Sequence, residues 1–160
     1  ADGWLPIFYS PERAGDVYEP LLETGFAKSG EADKADRFDT VASLQAIVTD
    51  DIESARMQAK PILALYIGGM GAKGRNFYND LACRYGYEAE ATRIQDLYLA
   101  GKKMEAIHSV PDALVDELSL IGTKEMIRDR LEVWNVSSVT TLALSPTDLT
   151  TLRTVAELVL

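Results

Sequence analysis

Phe38-Asp-Thr-Val-Ala-Ser-Leu-Gln-Ala-Ile-Val48 runs directly into Thr49-Asp-Asp-Ile-Glu53. The first part is rich in β-branched and aliphatic residues and is bounded by Thr49-Asp50-Asp51, which predicts a strand over Phe38–Val48. Asp50 and Glu53 stand at the spacing of a capping box, so a helix is expected to start there. Ile52, Ala55, Ala59, Ile62, Leu63 and Tyr66 then recur on one side of that helix, with a kink expected at Pro61. A strand that hands over to a helix in so few residues is a βα unit, and such units build parallel sheets.

The same device recurs on either side. Trp4-Leu-Pro-Ile-Phe-Tyr9 reads as a short buried strand, and Ser10-Pro11 as a helix start. Val139-Thr-Thr-Leu-Ala-Leu144 reads as a last strand, with Ser145-Pro146 capping a final helix. Pro20 is expected to kink or end the first helix, and the polar stretch from Gly25 to Asp36 reads as a surface loop. Further helices are predicted around Phe77–Tyr85, Glu88–Ala100, Lys102–Val110, Asp112–Leu118 and Ile127–Trp134. Three strands among about seven helical segments neither close a barrel nor cover both faces of a sheet. With no Met at position 1, this predicts one partial-barrel domain over residues 1–160, part of something longer.

Composition narrows the function. The 160 residues are 47% hydrophobic and 26% charged, as in a globular domain, and no apolar run is long enough to span a bilayer. A net charge of -9 repels phosphodiester backbones, so nucleic acid is not an expected partner. Ala1-Asp2-Gly3-Trp4 does not read as a secretion signal, and the lone Cys83 excludes an internal disulfide, which together point to the cytoplasm. One histidine, His108, and one cysteine make a zinc site untenable, so no metal is expected. Asp50-Asp51 and the Glu88/Glu90 pair are explained by helix starts, where negative charge meets the macrodipole. No catalytic residue stands out.

The candidate site is Tyr66-Ile-Gly-Gly-Met-Gly-Ala-Lys-Gly-Arg-Asn-Phe-Tyr-Asn-Asp80. Glycine lets another group approach the backbone closely, and amides with aromatics beyond such a turn could line a pocket for a flat polar molecule. The competing explanation is an ordinary helix–helix corner with aromatics packed beneath it. The stretch is neither a P-loop nor a dinucleotide fingerprint, because Gly68-Gly-Met-Gly71 follows a helix and lacks the spacing. Lys73 and Arg75 could meet a phosphate or stand as solvated loop charges.

These blocks together resemble the luciferase-like monooxygenase superfamily, and within it the deazaflavin (coenzyme F420)-dependent oxidoreductases. The resemblance rests on Ala1-Asp-Gly-Trp-Leu-Pro6, Tyr66–Gly71, Asn76–Asp80, Gly86-Tyr87, Ile94–Tyr98, Val110-Pro-Asp112 and Ile121-Gly-Thr123. It implies an α/β fold, the C-terminal part of a (β/α)8 TIM barrel, with Phe38–Val48 and Val139–Leu144 as its seventh and eighth strands. It also implies a cofactor at the C-terminal mouth of the barrel. Coenzyme F420, or alternatively FMN, would there be lined by Trp4, Pro6, Phe8, Met70, Asn76, Phe77 and Tyr78. The expected reaction is hydride transfer to or from a small organic substrate. For Trp4 and Phe77 core packing is the alternative. The rival for the whole chain is a non-catalytic α/β module that associates with itself, or with a missing N-terminal part, through open sheet edges.

Overall fold

The computed structural model describes residues 1–146 and 148–160. Along the chain the elements are β1 (Gly3–Trp4), α1 (Ala14–Val17), α2 (Glu19–Ser29), α3 (Lys34–Arg37), β2 (Asp39–Val48), α4 (Ile52–Gly69) and α5 (Phe77–Arg84). There follow α6 (Glu88–Leu99), α7 (Lys103–His108), α8 (Asp112–Glu117), β3 (Ser119–Gly122), α9 (Lys124–Asn135), β4 (Thr141–Pro146) and α10 (Leu149–Val159). Two compact units result, one of residues 1–50 with 117–160 and one of residues 51–116.

The first unit holds the sheet, and every pairing in it is parallel. Gly3 and Trp4 pair with Asp39 and Thr40, Gln45–Val48 pair with Ser119–Gly122, and Val41–Ala46 pair with Thr141–Pro146. Gln45 and Ala46 carry a partner on each side, so β3 and β4 lie on opposite edges of β2. Successive side chains point to opposite faces. One face buries Thr40, Ala42, Leu44 and Ala46, in a core that also holds Leu120, Ile127, Leu131, Trp134 and Val155. The other face is exposed at Ser43, Thr141, Ala143 and Ser145 and buried at Ile47, Ser119 and Ile121.

Several sequence expectations need correction. There are four strands rather than three among the described residues, because the buried run Ser119–Gly122 is a strand and not the tail of a helix. The first strand is only Gly3–Trp4, and the chain leaves it before Phe8, whose φ of 61° no strand accommodates. The expected break of the first helix is present but lies at Tyr18, between α1 and α2, and Pro20 sits in the first turn of α2, where a ring without an N–H costs nothing. The expected loop from Gly25 is helical to Ser29, and Phe26 packs edge-on against Phe38 at 5.1 Å. The cap of α4 is Asp51, which accepts from the Ser54 amide, one residue beyond the expected Asp50. Ser145 and Pro146 end β4, and the cap of α10 is Asp148, with Thr147 outside the described residues.

A polar clamp ties this unit's helices together. Arg130 forms an ion pair with Glu12 and donates to the Glu117 carbonyl at 2.7 Å, while the buried Ser10 hydroxyl donates to Glu117 at 3.0 Å. Burial opposes ionisation of Glu12, but the Arg130 guanidinium more than offsets it and holds the carboxyl below the usual range. The sign follows from linkage. The pair's stability is fully present above the unfolded-state pKa and is lost as pH falls through the lower folded-state value. Glu12→Gln should therefore lower the urea midpoint near pH 7, with the difference from the parent protein shrinking toward about pH 3. An equal difference at both pH values would remove the pair from the stability account.

Candidate functional site

In the first unit, Trp4 ends β1 and the segment Leu5–Tyr9 leaves the C-terminal end of that strand. The Trp4 ring meets Tyr18 edge-on at 4.8 Å and Tyr9 at 6.4 Å, and Tyr9 stacks on Tyr18 at 5.8 Å. Tyr9 is buried, its hydroxyl 2.9 Å from that of Ser138, and burial pushes the phenol pKa up. Trp4 is thus half core and half surface, which combines both of its sequence readings. Pro6 is buried and Phe8 half-buried, whereas Leu5 and Ile7 are exposed. Phe8 is the one non-glycine with positive φ among the described residues. A bulky side chain held in the left-handed region costs about 1–2 kcal/mol, a departure more often met at functional segments than at ordinary turns.

In the second unit the glycine block forms the corner between α4 and α5. A Cβ on Gly68 would lie 2.6 Å from the Tyr98 Cβ, one on Gly69 2.5 Å from the Tyr98 ring, and one on Gly71 2.4 Å from the Arg75 carbonyl oxygen. Close packing against α6 requires Gly68 and Gly69, and the tight turn onto Arg75 requires Gly71, so the helix-corner explanation accounts for them. Both amides are committed to the same corner. The Asn76 oxygen accepts from the Tyr78 and Asn79 amides, while its nitrogen donates to the Tyr66 and Ile67 carbonyls, each at 2.9 Å. Asn79 donates to Ile67 and Ala91, tying α4 to α6. Asn76 is buried with its hydrogen-bonding capacity spent. Its side chain caps α5 and closes the end of α4, which leaves no side-chain donor or acceptor over for a cofactor. Lys73 is ion-paired with Asp96, and Gln95 donates to the Gly71 carbonyl.

Beside the exposed Lys73, Arg75 and Asp80, this corner leaves apolar side chains at the surface. Phe77 is 60% exposed and Met70 51% exposed. Tyr78 is half-buried, edge-on to both Tyr66 at 4.7 Å and Phe77 at 5.3 Å. Of the residues expected at the cofactor, Met70, Phe77 and Tyr78 belong to this unit, with Phe77 and Tyr78 in contact, while Trp4, Pro6 and Phe8 belong to the first unit. Sequence reasoning placed Tyr98 inward on its helix but did not connect it with the glycine block, whose Gly68 and Gly69 pack against its ring. Its spacing from Ile94 on α6 was the available signal. Removing the Asn76 amide should release two carbonyls and an N-cap together, so Asn76→Ala should cost about 2–3 kcal/mol in urea denaturation. An unchanged midpoint would show that the corner does not depend on it.

Three comparisons bear on what this arrangement belongs to. The family model for luciferase-like monooxygenases matches residues 1–141. A Mycobacterium tuberculosis protein named for coenzyme F420-dependent oxidoreductase activity is 39% identical over 158 residues, which is 99% of this chain and 45% of the relative. The chain therefore spans slightly under half the length of that relative. Among solved structures, the coenzyme F420-dependent tetrahydromethanopterin reductase of Methanopyrus kandleri aligns with a TM-score of 0.68 at 21% identity, over 93% of this chain and 40% of its own. An F420-dependent secondary alcohol dehydrogenase, solved with an F420-acetone adduct, aligns at 0.62 and 14% identity over 94% of this chain and 39% of its own. At such identities the likeness speaks to fold, and it agrees with the helix-rich, parallel α/β arrangement expected of the luciferase-like barrel. The chain belongs to the luciferase-like monooxygenase family.

Proposed function

We propose that this chain forms part of a coenzyme F420-dependent oxidoreductase that moves hydride to or from a small organic substrate. The observation that carries the reading is the 39% identity, sustained over nearly the whole chain, to a relative named for F420. When bound, the deazaflavin would supply the redox chemistry, and the protein would orient it and exclude water. A flat heteroaromatic ring needs apolar faces, and the exposed Phe77 and Met70 with the half-buried Tyr78 offer them. In the first unit Trp4, with the constrained Phe8 and the buried Pro6 shaping its loop, is the corresponding candidate. Asn76 drops out, so polar anchoring falls to backbone groups or to side chains outside this set. No helix among the described residues is long and apolar enough to cross a membrane.

The uncovered face of the sheet favours a second reading, in which the chain associates with another copy of itself. Parallel sheets are normally covered on both faces, and Ser43, Thr141, Ala143 and Ser145 are not. Light scattering distinguishes this: a dimer supports it and a monomer ends it.

The cofactor reading is tested by fluorescence titration with oxidised F420, with FMN as comparator. Saturable binding of F420 is expected. Phe77→Ala should weaken it about fivefold or more, the worth of an aromatic stack, without changing the melting temperature, because Phe77 is exposed. Absence of F420 binding, or identical affinities for parent and variant, would overturn the assignment of Phe77, and the former the reading itself.

A further inference from the structure

Helix α2 has 11 residues and none of them is buried. That is an unusual condition for a helix inside a folded unit, since most helical stability comes from packing one face. Glu19, Leu22, Glu23 and Phe26 recur at i, i+3, i+4 and i+7, so they share a face, and that face lines a hollow of about 330 Å³. Across the hollow stand Ala35 of α3, Phe38 and Thr40 at the start of β2, and Ser138 and Thr140 ahead of β4. It therefore sits at the N-terminal ends of β2 and β4, within the first unit, beside the loop that leaves β1, whose Tyr9 hydroxyl is 2.9 Å from that of Ser138.

Three properties define what it would accept. The volume falls in the range of small-molecule sites. Its apolar walls include Leu22 and the Phe26–Phe38 pair, whose rings meet edge-on at 5.1 Å. Its only charged lining groups are Glu19 and Glu23, and neither carboxylate has a hydrogen bond or ion pair with a described residue. Two like charges one helical turn apart weaken the helix unless something compensates them. The macrodipole explains Glu19, which is in the first turn, but Glu23 lies beyond its reach. Thr40, Ser138 and Thr140 add hydroxyls that can serve a second polar group.

We infer that this hollow is a binding site for a small organic cation, an amine carried on an apolar or aromatic body. Its ammonium meets Glu19 and Glu23, and its body lies against Phe26, Phe38 and Leu22. The site is independent of the cofactor reading, since it uses none of those residues and no redox step.

The test is isothermal titration of the 160-residue protein with phenethylamine, 2-phenylethanol and phenylacetate at low ionic strength. Phenethylamine should bind saturably and about three- to tenfold more tightly than the alcohol, the combined effect of two exposed charge pairs, with phenylacetate weakest. The double substitution Glu19→Gln with Glu23→Gln should reduce the amine to the affinity of the alcohol. Both positions are on the surface of α2, so the fold should persist and a thermal melt checks it. Ala35→Phe, which fills the hollow from an exposed position, should abolish binding of amine and alcohol alike. Equal affinity for amine and alcohol, no saturation by the amine, or an unaltered amine affinity in either variant would overturn the site.

Discussion

The sheet depends on β2. Each other strand is hydrogen-bonded to it, and at Gln45 and Ala46 it is bonded on both sides at once. A strand in that position must pair along its length and bury one side tightly, which explains fully buried alanines at 42 and 46 among larger neighbours. Its C-terminal end is held twice. The Val48 amide donates to the Thr151 hydroxyl at 3.1 Å, and the Thr49 amide to the Gly122 carbonyl at 2.9 Å. The pairing of β2 is therefore complete, while the covering of the sheet is not. Ser43, Thr141, Ala143 and Ser145 form an open face of small and polar side chains, on a kind of sheet that is ordinarily enclosed.

In the second unit the division of labour is different. Polar groups that look available in the sequence are consumed in holding a corner, and apolar groups that look like core are left outside. The position of Phe77 explains why. It is the first residue of α5, directly after the Asn76 cap. A helical side chain leans over the turn preceding it, and a residue at the first position has no such turn to cover. Phe77 consequently lies against Tyr78 and solvent. The glycines support this indirectly, because their close approach to Tyr98 fixes the end of α4, to which Asn76 is tied.

The βα unit from Phe38 to Tyr66 was legible because its two periodicities agree, with the cap one residue later than expected. The helices ending at Gly86 and Gly101 were legible for a related reason, since both glycines adopt the positive φ that ends a helix. Ser119–Gly122 was not, because a four-residue apolar run beside a helical pattern carries no period of its own. Asn76 and Asn79 were recognisable as important but not as structural. An amide has the same donors and acceptors whether its partner is a ligand or a carbonyl ten residues back. Phe8 could not be foreseen at all, since nothing in Ile7-Phe8-Tyr9 favours a left-handed phenylalanine over continuation of the strand.

The disagreements between local preference and structure fall at particular places. At the C-terminal end of β1, Phe8 is held in a conformation that glycine would adopt without cost. At the N-terminal ends of β2 and β4, α2 presents two unpaired carboxylates and a half-buried phenylalanine to a hollow instead of an apolar face to a core. Stability alone would favour a glycine in the first case and a filled gap in the second. Local rules are broken where something other than packing is served, and both departures fall where β1 pairs with the first residues of β2. In barrel enzymes the chemistry is built at the C-terminal ends of the strands. On the proposed reading the strained loop neighbours the cofactor, and the acidic hollow answers to a separate ligand.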